Sequence, residues 1–214
     1  MSKKDNKKIA QKRRRLAAIQ RSYIFLNEWY KNDIWVGNVV HYHKQFSGQD
    51  HSFIVSRAKA SARNKKIYAF DIGTGEQLCK ADDILSLAGA MSTKGLEITG
   101  VDSSYKCPFK PNHFLSHHLS DNLSKLKQVD MEGISTGSIV LVEYSKKVIP
   151  YLIGYSDDIC NFLYDTSQAK YLIDLSKGII EESAGGAEAF CSILNIIGER
   201  QKANPVILGT LQNY

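Results

Sequence analysis

Gly137-Ser-Ile-Val-Leu-Val-Glu-Tyr144, Ser145-Lys-Lys147 and Val148-Ile-Pro-Tyr-Leu-Ile-Gly-Tyr155 read as one unit. Two runs rich in β-formers flank a short polar turn, which is the pattern of a hairpin. Pro150 has no N–H to give to a ladder, so its position belongs at an edge or a bulge. Gly137 and Gly154 bracket the pair, as bends at a barrel corner do. Ile139 and Leu141 alternate with Val140 and Val142, so both faces of the first strand are apolar. One face is expected to fill a barrel and the other to be covered by a helix or a partner. The chain closes on a partial echo, Asn204-Pro-Val-Ile-Leu-Gly-Thr-Leu211, so Pro-(Val/Tyr)-(Ile/Leu)-(Leu/Ile)-Gly occurs at 150–154 and again at 205–209. The pattern predicts a small closed β-barrel with tight glycine corners.

The Gly-x-x-Val-x-Val-x-Tyr strand, the polar turn and the Pro-Tyr-Leu-Ile-Gly return resemble the OB-fold barrel of contractile-tail phage hub and spike proteins. Asn204 to Leu211 is similar to the strand that closes that barrel, and Cys107-Pro-Phe-Lys-Pro111 is similar in style to its lead-in. The resemblance covers residues 100–155 and 204–211. There is no Gly-Arg-Val-like first strand, and the chain has no room for that family's lysozyme-type or long β-helix segments. The resemblance implies a mainly β (α+β) fold, an OB-like small barrel with helical additions. It implies a non-enzymatic structural subunit of a tail baseplate, near its hub, working among other virion proteins. The expected location is then the virion, assembled in a host cytoplasm.

Charge divides the chain. Residues 1–66 hold 16 Lys/Arg and 4 Asp/Glu, which gives +12; the remaining residues hold 12 and 18, which gives −6 and the net +6. A basic front end on a mildly acidic body points to an acidic partner: nucleic acid, an anionic surface or an acidic protein. The expected division is a basic arm over 1–32 and a β domain over 33–214. From Lys7 to Tyr30 the spacing is helical, with Ile9, Leu16, Ile19, Tyr23, Leu26 and Tyr30 forming a heptad-like stripe broken at Lys12. That stripe is expected to be buried, on the barrel or in a bundle with other chains. Lys31-Asn-Asp33 ends the segment. A helix this basic repels its own copies, so the free chain is expected to be monomeric.

Lys12, Arg13, Arg14, Arg15 and Arg21 are the candidate binding residues. Guanidinium forks grip phosphate or carboxylate bidentately, and each neutralised phosphate adds salt-sensitive affinity. The runner-up function is therefore a nucleic-acid-binding OB-type module, with Tyr23, Phe25, Trp29 and Tyr30 as stacking candidates; buried packing is the other use of those aromatics.

Elsewhere, β-rich runs lie at Trp35–His43, Phe53–Val55, Ile67–Phe70, Leu96–Thr99, Asn161–Tyr164 and Tyr171–Ile173. Helices are expected at Asp82–Met91 and Ala187–Ile197, with Arg57–Lys66 a basic loop or short helix. Phe70-Asp-Ile-Gly-Thr-Gly75 looks like the phosphate turn of actin-type ATPases, but that fold needs a longer chain and a second such turn; a strand ending in a glycine turn is the preferred reading. His41 with His43, and His113 with His117 and His118, could hold a metal given a third ligand. Surface or hydrogen-bonding histidines are preferred, and no metal or cofactor is expected. Cys79, Cys107, Cys160 and Cys191 show no Cys-x-x-Cys spacing, so zinc-ribbon and thioredoxin readings fall away. There is no Gly-x-Ser-x-Gly elbow, and a small hydrolase is the minor alternative. No apolar run approaches the roughly 18 residues of a membrane span, and the N-terminus has no signal-peptide core.

Overall fold

The computed structural model describes residues 3–44, 49–59, 66–105, 136–145, 147–156, 169–182, 202 and 205–211. In chain order the elements are α1 (Lys3–Lys31), β1 (Val39–Lys44), β2 (Asp50–Ala58), β3 (Ile67–Asp71), β4 (Gln77–Ala81), α2 (Ile84–Ser92), β5 (Leu96–Asp102), β6 (Ile139–Tyr144), β7 (Lys147–Ser156), β8 (Ala169–Asp174), β9 (Ile179–Glu182) and β10 (Val206–Leu211).

The helices begin and end where local chemistry dictates. After Lys31, Asp33 takes a left-handed φ of 47°. The Asp33 N–H then reaches Tyr30 O at 3.2 Å and the Ile34 N–H reaches Trp29 O at 3.3 Å. This paired closure satisfies carbonyls that the helix end would leave open. At the start of α2 the Asp83 carboxylate accepts from the Ser86 N–H at 2.7 Å, and that bond holds its pKa below the usual carboxylate value. The expected hairpin is present: β6 and β7 pair antiparallel from Ile139↔Leu152 to Tyr144↔Lys147, and Ser145 turns with φ 48°.

The chain is mainly β, and its described residues form one mixed sheet of ten strands. The path runs β10-β6-β7-β8-β9-β2-β1-β5, with β3 on β2 and β4 on β3. The sheet is not closed, so the single closed barrel expected from the glycine-bounded hairpin is not what these strands form. The physical reason lies in an internal duplication. In the first half β1 pairs with β2 from Val39↔Ile54 to His43↔Asp50, β2 with β3 through Ile54↔Phe70, and β1 with β5 through Val39↔Asp102. In the second half β6 pairs with β7 through Ile139↔Leu152, β7 with β8 through Leu152↔Ile173, and β6 with β10 through Ile139↔Leu211. Even the irregularities match: β5 and β10 each shift register, beside Gly100 and Gly209 respectively. Two half-sheets that face one another bury apolar surface without closure.

The halves are joined by reciprocal bonds. The Arg57 N–H donates to Gly178 O at 2.9 Å, and the Tyr155 N–H donates to Gly75 O at 2.7 Å. Both glycines have positive φ, +73° at Gly75 and +65° at Gly178. A Cβ on Gly75 would stand 2.6 Å from the Gly137 nitrogen, and one on Gly178 2.6 Å from the Gly37 nitrogen. Only glycine admits both the conformation and the close backbone approach. Lys59 adds an ion pair across the join, 2.5 Å to Glu181.

Three clusters fill the interior. The central one takes Val39, Ile54, Phe70 and Ile72 from the first half and Ile139, Leu141, Leu152, Ile173, Leu175 and Leu211 from the second. An outer cluster packs Val40, Tyr42, Phe53 and Val55 beneath α1 and α2. Its counterpart in the second half holds Val140, Val142, Tyr151 and Ile153. The two faces of β6 therefore divide as the alternation predicts. Burial pushes the Tyr144 hydroxyl up to about 12, opposed by its bond with Tyr151.

Candidate functional site

α1 is attached to the body by one face only. Phe25 and Trp29, four residues apart, are buried in the outer cluster. Trp29 stacks on Phe53 with ring centroids 6.3 Å apart. One turn earlier the Ser22 hydroxyl donates to Ser92 O at 3.0 Å, fastening α1 to the end of α2. Side chains 6–21 are exposed on every side. At 1.5 Å per residue this free part is about 24 Å long.

The stripe expected to be buried on the body is not. Ile9, Leu16, Ile19, Tyr23 and Tyr30 are 41–66% exposed; only Leu26 packs partly against the outer cluster. The anchoring aromatics occupy a neighbouring face, and a helix has only one face to give to a body it touches edge-on. Phe25 and Trp29 are thus core residues, while Tyr23 and Tyr30 remain outside. Lys12, Arg13, Arg14 and Arg15 stand together on the free part, fully in solvent. Arg21 is separate from them: it lines a groove of about 400 Å³ between α1 and β5, with Glu28 and Glu97. Ranking the stripe as heptads puts Ile9, Leu16, Tyr23 and Tyr30 at a, Lys12, Ile19 and Leu26 at d, and Lys8, Arg13 and Arg15 at the flanking e and g positions. An apolar seam with cationic edges results.

A second site has no local sequence motif. β1, β2 and β5 lie side by side, and their shared face carries His41, Ser52 and Asp102. The Ser52 hydroxyl lies 2.7 Å from His41 Nδ1, and Asp102 Oδ2 lies 3.1 Å from His41 Nε2. This is the order of groups that can activate a serine hydroxyl. The trio opens onto a cavity of about 510 Å³, which Val39, Asp50, Asp71, Ile72 and Tyr105 also line. His41 and His43 stand two apart on one strand, yet the register sends them to different carboxylates, His41 to Asp102 and His43 to Asp50 at 3.0 Å. Ser52 and Asp102 were missed because they lie 11 and 61 residues from His41; only the strand register brings them together.

The Phe70–Gly75 segment is a strand and turn. Asp71 Oδ1 accepts from the Thr74 N–H at 2.9 Å and from the Thr74 hydroxyl at 3.1 Å. Its other oxygen accepts from Tyr42 at 2.7 Å. Burial, reinforced by that bond, drives the Tyr42 pKa far upward. The Asp71 carboxylate is occupied in holding the turn, not presented to a nucleotide. Cys79 is a free thiol, with its pKa raised by burial. Among the described residues no group of three His, Cys, Asp or Glu could hold a metal ion, and no helix is long and apolar enough to cross a membrane. His113, His117, His118, Cys107, Cys160, Cys191, the lead-in at 107–111, the expected strand Asn161–Tyr164 and the expected helix Ala187–Ile197 lie outside the described residues.

No protein-family model, curated protein or solved structure matches this chain.

Proposed function

We propose that this protein is a docking subunit that captures an acidic, helical segment of a partner protein along α1. One observation carries this reading: an exposed apolar seam, Ile9–Leu16–Ile19–Tyr23, interrupted at Lys12, runs between Lys8, Arg13 and Arg15 on a helix whose C-terminal turns are fixed to the body by another face. A helix that only met solvent would not keep such a seam. Apolar a and d positions select a partner helix, and cationic e and g positions select glutamate or aspartate opposite them. Two copies of α1 would bring like charges together, so the seam favours a different chain over a second copy. The setting implied by the resemblance, a tail baseplate or related contractile injection machine built on an OB-like barrel, is one in which such a partner would be another virion protein; that setting rests on the sequence motifs alone.

Nucleic acid is the second reading. It draws support from Lys7, Arg14 and Arg21, which lie off the seam and give the helix positive charge around its circumference. The two readings separate in one titration of the full chain. The probes are a designed helical peptide, with Leu at a and d and Glu at e and g, and a 20-base-pair duplex. Replacing Leu16 and Ile19 by Lys should abolish peptide binding, because it breaks the seam while adding cations. Duplex binding that strengthens in the same variant, with no peptide binding by wild type, would make nucleic acid the partner.

A further inference from the structure

The internal duplication allows each residue lining the cavity to be compared with its counterpart in the second half. The registers match His41 with Leu141, Ser52 with Pro150 and Asp102 with Leu211. His41 pairs with Ser52 where Leu141 pairs with Pro150, and Val39 pairs with Asp102 where Ile139 pairs with Leu211. The backbone repeats as well: the Ile72 N–H donates to Ser52 O at 2.8 Å, and the Leu175 N–H to Pro150 O at 2.9 Å. In the second half Leu141 and Leu211 are buried members of the central cluster. In the first half the same places hold a hydrogen-bonded serine, histidine and aspartate, and a cavity of about 510 Å³ opens beside them. The fold is satisfied at these positions by proline and leucine. The polar trio and the cavity therefore answer to something other than folding.

We infer that this cavity is a binding site for a small organic cation bearing N–H donors, a primary amine or guanidinium. Its size lies in the range of small-molecule pockets, roughly 300–1,000 Å³. Its lining contains no lysine or arginine, and it contains the carboxylates of Asp50, Asp71 and Asp102. The oxygens of Asp71 are already taken by the neutral donors of Tyr42 and Thr74, and Asp102 and Asp50 lie beside the imidazoles of His41 and His43; with His51 also in the lining, the three carboxylates make the cavity acidic. In the tautomer whose Nε2–H donates to Asp102, His41 Nδ1 accepts the Ser52 O–H, and the Ser52 oxygen keeps lone pairs as an acceptor. The lining then joins these acceptors to the apolar side chains of Val39 and Ile72 and the aromatic ring of Tyr105. Acceptors and carboxylates attract a donor-rich cation and repel phosphate or carboxylate ligands.

The test is calorimetric titration of the full chain with agmatine and putrescine, and with succinate as the anionic control. Saturable binding of either amine and none of succinate is expected. Asp102→Asn, which keeps the shape and removes the charge, should weaken binding at least tenfold. A double variant, His41→Leu with Asp102→Leu, installs the residues of the twin positions; it should bind neither amine and melt no lower than wild type. Binding of neither amine by wild type, or equal binding by Asp102→Asn, would overturn the assignment. So would a double variant that melts well below wild type, since the trio would then be part of the fold. Covalent capture of Ser52 by a fluorophosphonate would also overturn it, by showing an activated nucleophile in place of a docking acceptor.

Discussion

Replacing Trp29 by alanine tests how α1 is held. Trp29 is only 2% exposed; it stacks on Phe53 and meets Phe25 at a centroid distance of 5.7 Å. A buried aromatic removes about 150–250 Å² from water, which at about 25 cal/mol per Å² is about 4–6 kcal/mol. Measured truncations of buried Phe and Trp fall at about 3–5 kcal/mol, because the site partly collapses. For a chain of this size each kcal/mol moves the midpoint by about 2–4 °C. Trp29→Ala should therefore lower Tm by about 6–20 °C. Leu16→Ala is the matched control: Leu16 is 57% exposed, and the change should stay within about 0.5 kcal/mol. Urea unfolding followed by far-UV circular dichroism, with a thermal melt alongside, measures both. A Trp29→Ala loss below about 1 kcal/mol, or a Leu16→Ala loss as large as that of Trp29→Ala, would refute the assignment of the anchored and free faces.

Gly75→Ala and Gly178→Ala should destabilise by similar amounts, about 2–5 kcal/mol each, from left-handed strain and backbone overlap at the two equivalent joins; a large difference in their urea midpoints would contradict the duplication. Replacing Arg13, Arg14 and Arg15 by alanine should leave Tm within about 2–4 °C of wild type and weaken binding of the acidic peptide most at low salt, where screening is least; equal affinities at low ionic strength would count against the seam's charge role. The raised hydroxyls of Tyr42, Tyr144 and Tyr151 make a prediction for alkali. A group whose folded pKa exceeds its unfolded value stabilises the fold fully below the unfolded value, near 10 for tyrosine, and loses that contribution as pH rises toward the folded one. Stability should fall from about pH 10 upward, through about 12 for Tyr144, and tyrosinate absorbance should show a late, unfolding-linked phase; complete tyrosine titration near pH 10 with the fold intact would exclude it.

Much of the fold was legible in local chemistry. The hairpin followed from alternation and its bounding glycines, the end of α1 from Asn32-Asp33, and the start of α2 from Asp83. The duplication was present in the sequence as Tyr68-Ala-Phe-Asp-Ile-Gly-Thr-Gly75 and Tyr171-Leu-Ile-Asp-Leu-Ser-Lys-Gly178, both Tyr-x-apolar-Asp-apolar-x-x-Gly. It was masked because few identities are shared there, the tyrosine, the aspartate and the glycine, whereas most packed positions exchange among apolar side chains. The echo between 150–154 and 205–209 instead joined β7 to β10, the two strands that flank β6. Heptad spacing marked an apolar stripe on α1 and left its cover open between the body and other chains; the body does not supply it, because periodicity reports an apolar face without saying what lies against it. The Ser52–His41–Asp102 trio depends on two strand registers, β1 with β2 and β1 with β5, neither of which local sequence specifies.

Amide hydrogen exchange along α1, in the free chain and with the acidic heptad peptide added, tests the docking account most directly. Residues 25–31, packed on the body, should exchange slowly in both samples. Residues 9–21, exposed on every side, should exchange quickly in the free chain and slow strongly with the peptide, an effect that Leu16→Lys with Ile19→Lys removes. Slow exchange of 9–21 in the free chain, or protection conferred by duplex nucleic acid and not by the peptide, would contradict it.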